Sequence, residues 1–417
     1  MNKKLLCGIL ALSFSTAVLA QSGTNSPYSQ YGLGTLSEQS QGFSRGMNGV
    51  GLALRRGDIV NTLNPASYSA VDSLTMIFDV GVSGQLTNFK EGKGRVNARN
   101  AAFEYAVGSF RLLPNVGMTV GILPFTSVGY NYSKTTFLDH TNGSLTETYA
   151  GEGGLRQVFL GAGWRVLKPL SVGVNVGYLW GDIDRSVTTS STTYINSLAR
   201  QYAFSVSSYK LDFGVQWQQK VDRHNVLTLG ATVGIGHKLG SDPVCQIVNV
   251  SNADTTKFQI SNGLSLPMTY AVGASWNHRD KLLVEADFSL QQWGKLDFPD
   301  ISSAGGYVMQ SGLLKDLYQV KAGVDYVPLP MGRNLLTRVH YRFGLGYATP
   351  YYNINGISGP KEFSMSAGFG IPISRSMLNV GAQWVHASAK NMITENTFRI
   401  NLGLTFNEGW FAKWKIE

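Results

Sequence analysis

From Ser73 onward the chain alternates apolar with small or polar residues in segments separated by turn residues. Period two with one apolar face is the pattern of a strand whose side chains point alternately into an apolar medium and away from it. Within 170–180, Leu170, Val172, Val174, Val176, Tyr178 and Trp180 share one face, and Ser171, Gly173, Asn175 and Gly177 share the other. Within 398–406, Phe398, Ile400, Leu402, Leu404 and Phe406 alternate with Arg399, Asn401, Gly403 and Thr405. The same test predicts strands at 73–88, 98–112, 115–133, 153–167, 169–184, 200–221, 224–239, 266–278, 281–293, 316–327, 334–348, 362–373, 376–389 and 394–407, fourteen in all. Connections after even-numbered strands are short, such as LKP and NHRDK, whereas those after odd-numbered strands include 134–152, 185–199, 240–265, 294–315 and 349–361. Short turns on one rim and long loops on the other mark a bacterial outer-membrane barrel, and an even count returns both termini to the periplasm. A propeller would repeat a blade motif every ~40 residues, and no such period is present.

What precedes the strands has a different texture. Residues 31–70 carry Gly32, Gly34, Gly42, Gly46, Gly49, Gly51 and Gly57 among small and polar residues, so this stretch turns often and has no long apolar face of its own. It must fold against something else. Fourteen strands enclose more space than wall side chains fill, since about eight already suffice for that, so an independent plug is expected. Further upstream, Lys3, Lys4, the apolar run Leu5 to Leu12 and Val18-Leu19-Ala20 before Gln21 read as a secretory signal peptide. The expected organisation is a signal peptide at 1–20, an N-terminal extension and hatch at 21–72, the barrel at 73–407 and a periplasmic tail at 408–417.

Composition agrees. The 417 residues include 48 glycines, 11% aromatics and only 15% charged residues, and beyond the signal peptide there is no apolar run of the ~18 residues that a spanning helix needs. In lipid only helices and closed barrels satisfy their backbone groups, so the fold class is an all-β, 14-stranded antiparallel transmembrane barrel with its hatch in the lumen. The formal net charge of +9 is spread out and suggests no nucleic-acid partner. Losing the signal peptide removes Cys7 and leaves Cys245 alone, which excludes an intrachain disulfide. No two histidines sit at metal-ligand spacing with a carboxylate or thiolate, so neither a metal nor another cofactor is expected. Nor is an enzyme, because no serine is placed beside His340 at matching height.

Asn64-Pro65-Ala66, just before the first strand, resembles the hatch of the FadL family of outer-membrane transporters. So do the segments 115–133, with Pro124-Phe125 inside the third strand, 152–184 and 264–298. The resemblance implies a kinked third strand that opens the wall sideways, with Asn64, Pro65, Ala66, Pro124 and Phe125 as hatch and gate residues. It also implies passive uptake of hydrophobic or amphipathic small molecules from the outer membrane's external face. The broad group includes the PorV barrel of type 9 secretion, so a non-transporting adaptor in a secretion or assembly complex is the alternative. The chain departs from the family in an extra N-terminal segment, SGTNSPYSQYGLG, and in a tail beyond the last strand, of which Trp410 to Glu417 is the natural contact for a protein partner on the adaptor alternative.

Charges at Glu285, Asp287, Lys321, Asp325, Arg338, His340 and Arg342 alternate with apolar residues and are assigned to the lumen, because a charge on the lipid face at mid-depth costs about 2–4 kcal/mol. They are read as a charge ladder bracing wall and plug, or else as contacts for a ligand carboxylate, with Arg338 and Arg342 as its bidentate partners.

Overall fold

The computed structural model describes residues 23–137, 143–191, 197–249, 254–302 and 306–409. The signal peptide and the tail beyond Gly409 lie outside the described residues.

Fourteen strands form the wall: β1 Met76–Glu91, β2 Gly94–Leu113, β3 Val116–Pro124 with Thr126–Phe137, β4 Ser144–Gly153 with Arg156–Arg165, β5 Leu170–Ser191, β6 Leu198–Lys220 and β7 Asn225–Gly234. They continue as β8 Thr269–His278, β9 Leu282–Gln291, β10 Leu317–Tyr326, β11 His340–Ala348, β12 Lys361–Ile373, β13 Ser376–Ser388 and β14 Thr394–Glu408. Sequential neighbours pair antiparallel, and β1 closes the ring on β14 from Met76↔Glu408 to Lys90↔Thr394. Closure at this seam leaves no free edge on β1 or β14 to template aggregation or to leave backbone groups unpaired in lipid.

Four expected strands are corrected. β11 starts at His340 and not at 334, because Asn334 caps a short helix, Leu335–Arg338, by accepting from the Leu336 N–H at 3.3 Å. Arg338 therefore sits in the turn and not in the lumen ladder. β7 ends at Gly234, short of 239, and β3 and β4 are each broken in two.

The alternation places faces as expected. Ser171, Asn175, Asn379, Asn401 and Thr405 are buried inward, while Val176, Leu402, Phe398 and Phe369 are exposed outward. Trp164, Trp217 and Trp276 stand exposed near the short-turn ends of β4, β6 and β8, where a barrel carries interfacial aromatics. Arginine at Val174 or Leu402 is expected to block stable insertion, since it places a charge in lipid at about 2–4 kcal/mol. Asn175 and Asn401 point inward but are not open sites: Asn175 crowds Gly161 and Tyr68, and Asn401 accepts from Arg45 at 3.2 Å. The tolerant partner is Ser289, which lines an open cavity. A heat-modifiability assay in which Leu402→Arg and Ser289→Arg behave alike would show that the faces are wrongly assigned.

Candidate functional site: hatch and wall opening

Contrary to the glycine-rich sequence, the hatch has an apolar cluster of its own, Phe43, Met47, Val50, Leu54 and Ile59, which packs on Leu283 of the wall; polar contacts to inward-facing wall residues add to it and fix the hatch in the lumen. Asp287 accepts from the backbone N–H groups of Gly51 at 2.7 Å and Leu52 at 3.1 Å, and Glu285 accepts from Ala53 N–H at 2.9 Å. Lys321 pairs with Glu38 at 2.9 Å. Arg342 donates to Asp325 at 3.1 Å and to Asn379 at 2.6 Å, and lies over the Phe43 ring at 4.0 Å; His340 also meets Asp325, at 2.8 Å. These contacts brace the plug. The Arg342 guanidinium is buried beneath the hatch with its donors engaged, so it presents no fork to a ligand carboxylate.

Arg45 is the hatch residue that the sequence did not single out. It pairs with Glu104 at 3.0 Å, donates to Asn401, and reaches back to the carbonyls of Ser40 at 3.0 Å and Glu38 at 3.2 Å. Burial disfavours its charge, but Glu104, Tyr105 and Glu38 overcome that and hold its pKa above the ordinary arginine value. Burial likewise works against ionised Glu38, yet Lys321 and Arg45 keep that carboxyl below its usual range.

Asn64, Pro65 and Ala66 form a corner where the hatch meets the wall. Asn64 is extended and caps the 3-10 turn Pro65–Ala70, accepting from Ala66 N–H at 3.1 Å while donating to the carbonyls of Leu52 at 2.8 Å and Val215 at 3.1 Å. Proline at the first position needs no N–H partner there. The turn lies directly on the wall: a Cβ at Gly117 would strike the Tyr68 backbone, and one at Gly173 the Pro65 backbone. Small wall residues here are thus shaped by the plug and not by strand propensity. Tyr68 shares an apolar cluster with Phe159 and Leu123, so the corner packs toward the residue preceding Pro124.

At Pro124-Phe125 the wall parts. β2 and β3 pair only from Ala106↔Ile122 down to Leu113↔Val116. Above that point Thr126–Phe137 follows Ser144–Gly153 of β4, while Gly94–Tyr105 of β2 keeps β1 alone as wall neighbour. Proline cannot donate to a ladder, yet one proline does not bend three strands. The bend continues through Gly154 and Gly181, at φ +139° and +146°, values that side chains disfavour. Leu155 O accepts from the N–H groups of Phe125 at 2.7 Å and Thr126 at 3.1 Å, and Asp182 O from Gly154 at 2.9 Å. Pro124 was readable in the sequence; the two glycines were not distinguishable among so many.

The extra N-terminal segment lies in this opening as a strap. Gln85 donates to Gly23 O at 3.1 Å, Asn25 to Arg99 O at 3.4 Å, and Ser26 to Glu395 at 2.6 Å. Gln30 donates to Tyr132 at 2.8 Å, and Thr35 and Leu36 pair with Ser127 and Thr126 as a short added strand. Above the hatch, a cavity of about 1840 Å³ reaches from the loop rim to this region, bordered by Leu36, Phe125, Tyr130, Gln319, Glu362 and Arg399 among others. Loop residues Trp293, Phe298 and Tyr351 pack with Leu33 and inward Leu179 and Ile183, covering one side of the mouth.

Similar folds occur among solved structures. The CymD monoaromatic hydrocarbon channel superposes with a TM-score of 0.59 at 14% identity, covering 90% of this chain and 98% of its own. The Ralstonia pickettii toluene transporter TbuX gives 0.59 at 14%, covering 88% and 98%. A Pseudomonas aeruginosa FadL homologue gives 0.64 at 11%, covering 89% and 99%. No curated protein matches the sequence. A family model, BamG, matches residues 1–417.

Proposed function

The chain belongs to the BamG family, and from the geometry of its wall we propose that it is an outer-membrane channel for passive uptake of hydrophobic or amphipathic small molecules. The observation that carries this reading is the interrupted β2–β3 ladder above Ala106↔Ile122, which faces the cavity over the hatch. With the long loops outside and both termini in the periplasm, a solute enters between the loops, descends to the hatch and leaves sideways beside Pro124 and Phe125. It never crosses the plug, which is consistent with the plug's dense anchoring. The similar folds of a monoaromatic hydrocarbon channel and a toluene transporter support this class of solute.

The strap is the test. Thr35 and Ser127 are direct cross-strand partners, close enough for a disulfide. In Thr35→Cys with Ser127→Cys, oxidation is expected to abolish uptake of toluene into cells and reduction to restore it. Equal uptake in both states rules out lateral passage at this opening.

A second reading is favoured by the same strap, because its bonds to β1, β2, β3 and β14 fill the opening. On that reading the barrel is a non-transporting member of a secretion or assembly complex and binds its partner through Trp410 to Glu417. Gentle purification from native membranes then yields stoichiometric protein partners, and the oxidised and reduced forms are alike in uptake.

A further inference from the structure

The turn between β10 and β11, residues 327–339, is by far the longest connection on the short-turn rim; the others span 114–115, 166–169, 221–224, 279–281 and 374–375. It is folded and not loose. Leu329 N–H donates to Thr337 O at 2.8 Å, Gly332 N–H to Leu329 O at 2.9 Å, and the Thr337 hydroxyl to Asn334 O at 2.7 Å. A connection held this tightly would ordinarily turn its large apolar side chains inward, yet Leu329, Met331, Leu335 and Leu336 all point out, with Met331 98% and Leu336 64% exposed.

Its direction is set by Tyr341. This residue alternates with inward Arg342 and so projects from the outer face, where it packs edge-on against exposed Phe369 at 5.8 Å. The Tyr341 hydroxyl donates to Leu336 O at 3.1 Å, which draws the short helix Leu335–Arg338 over the outside of the wall. The turn therefore continues the outer apolar band beyond the strand ends. Its charges are Arg333 and Arg338 with no carboxylate between 327 and 339, and the Arg338 Nε is buried without a hydrogen-bond partner among the described residues.

We propose that this turn is a membrane-dipping anchor whose occupant is the phospholipid leaflet meeting the short-turn rim. Leu329, Met331, Leu335 and Leu336 enter the acyl boundary, and Arg333 and Arg338 bind lipid phosphate. Apolar side chains beside unopposed arginines match the layered chemistry of a phospholipid surface, where long basic side chains reach up to the headgroups. A protein partner would serve the apolar residues equally but would leave two arginines to be matched by its own acids. Continuity with the lipid-facing band favours lipid.

The test uses the full chain in vesicles of phosphatidylethanolamine and phosphatidylglycerol. Met331→Cys, made in a Cys245→Ser background, carries an environment-sensitive fluorophore, and Arg223→Cys in the turn 221–224 serves as the aqueous reference. Position 331 is expected to emit at shorter wavelength, to be quenched by spin-labelled lipid and to resist iodide, whereas 223 is quenched by iodide. Leu336→Cys repeats the measurement at an independent site. Iodide quenching at 331 and 336 equal to that at 223 overturns the proposal, and shielding found only in native membranes overturns it in favour of a protein partner.

Discussion

Arg45→Met is expected to free the hatch while leaving the wall closed. The substitution keeps most of the side-chain volume but removes the guanidinium that joins Glu104, Asn401 and two hatch carbonyls. Glu104 is then a buried carboxylate whose remaining hydrogen-bond partner is the Ser83 hydroxyl, with only the more distant Arg399 charge to oppose its own. Breaking one side of a buried pair costs about 3–5 kcal/mol, comparable to the total stability of many small domains. Glu104 belongs to β2, but the backbone ladder that closes the wall from β14 back to β1 is untouched, and water entering the lumen as the hatch leaves rehydrates the carboxylate. Trypsin should therefore cut at Arg55 and Arg56 in the mutant but not in the parent, while heat modifiability of the barrel stays unchanged. Arg45→Lys keeps a charge beside Glu104 but not the fork, and intermediate protection is expected. Full protection in Arg45→Met would mean that the hatch is held by Asp287, Glu285 and Lys321 without it.

The wall was legible because alternation is local: Val176 and Asn175, or Leu402 and Asn401, declare their faces two residues at a time. The hatch was legible as a segment, from its glycines and from Asn64-Pro65-Ala66, but its anchoring was not. Arg45 meets Glu104 and Lys321 meets Glu38 only after the ring has closed, and no periodicity links positions so far apart. The wall opening was half legible. Pro124 is a recognisable breaker, whereas Gly154 and Gly181 matter through backbone angles that composition does not reveal. Arg338 was misplaced for a related reason: Arg338, His340 and Arg342 alternate with Val339 and Tyr341 and so extend the strand pattern backwards, whereas the Asn334 cap winds Leu335–Arg338 into a short helix.

Asn64→Gly with Pro65→Gly should change permeability more than stability. The asparagine side chain closes three bonds at once, to Leu52 O, Val215 O and Ala66 N–H. Leu52 O retains Gln216 as a donor at 3.1 Å, so its loss is partial. Net worth per bond is about 0.5–1.5 kcal/mol, and replacing proline by glycine adds roughly 0.4–1 kcal/mol through the unfolded chain. The sum, on the order of 2–4 kcal/mol, falls on the corner and leaves the strand ladders intact. Its structural consequence spreads through Tyr68, which the turn Pro65–Ala70 presses against Gly117 and into the cluster with Phe159 and Leu123. Leu123 immediately precedes the break at Pro124, so slack in the corner reaches the lower edge of the wall opening. The double mutant should remain a folded barrel in detergent while cells carrying it differ from the parent in uptake of an apolar dye and in sensitivity to large hydrophobic antibiotics. A folded mutant with unchanged uptake across a range of apolar solutes separates the corner from any gate and makes the adaptor reading the better account of this barrel.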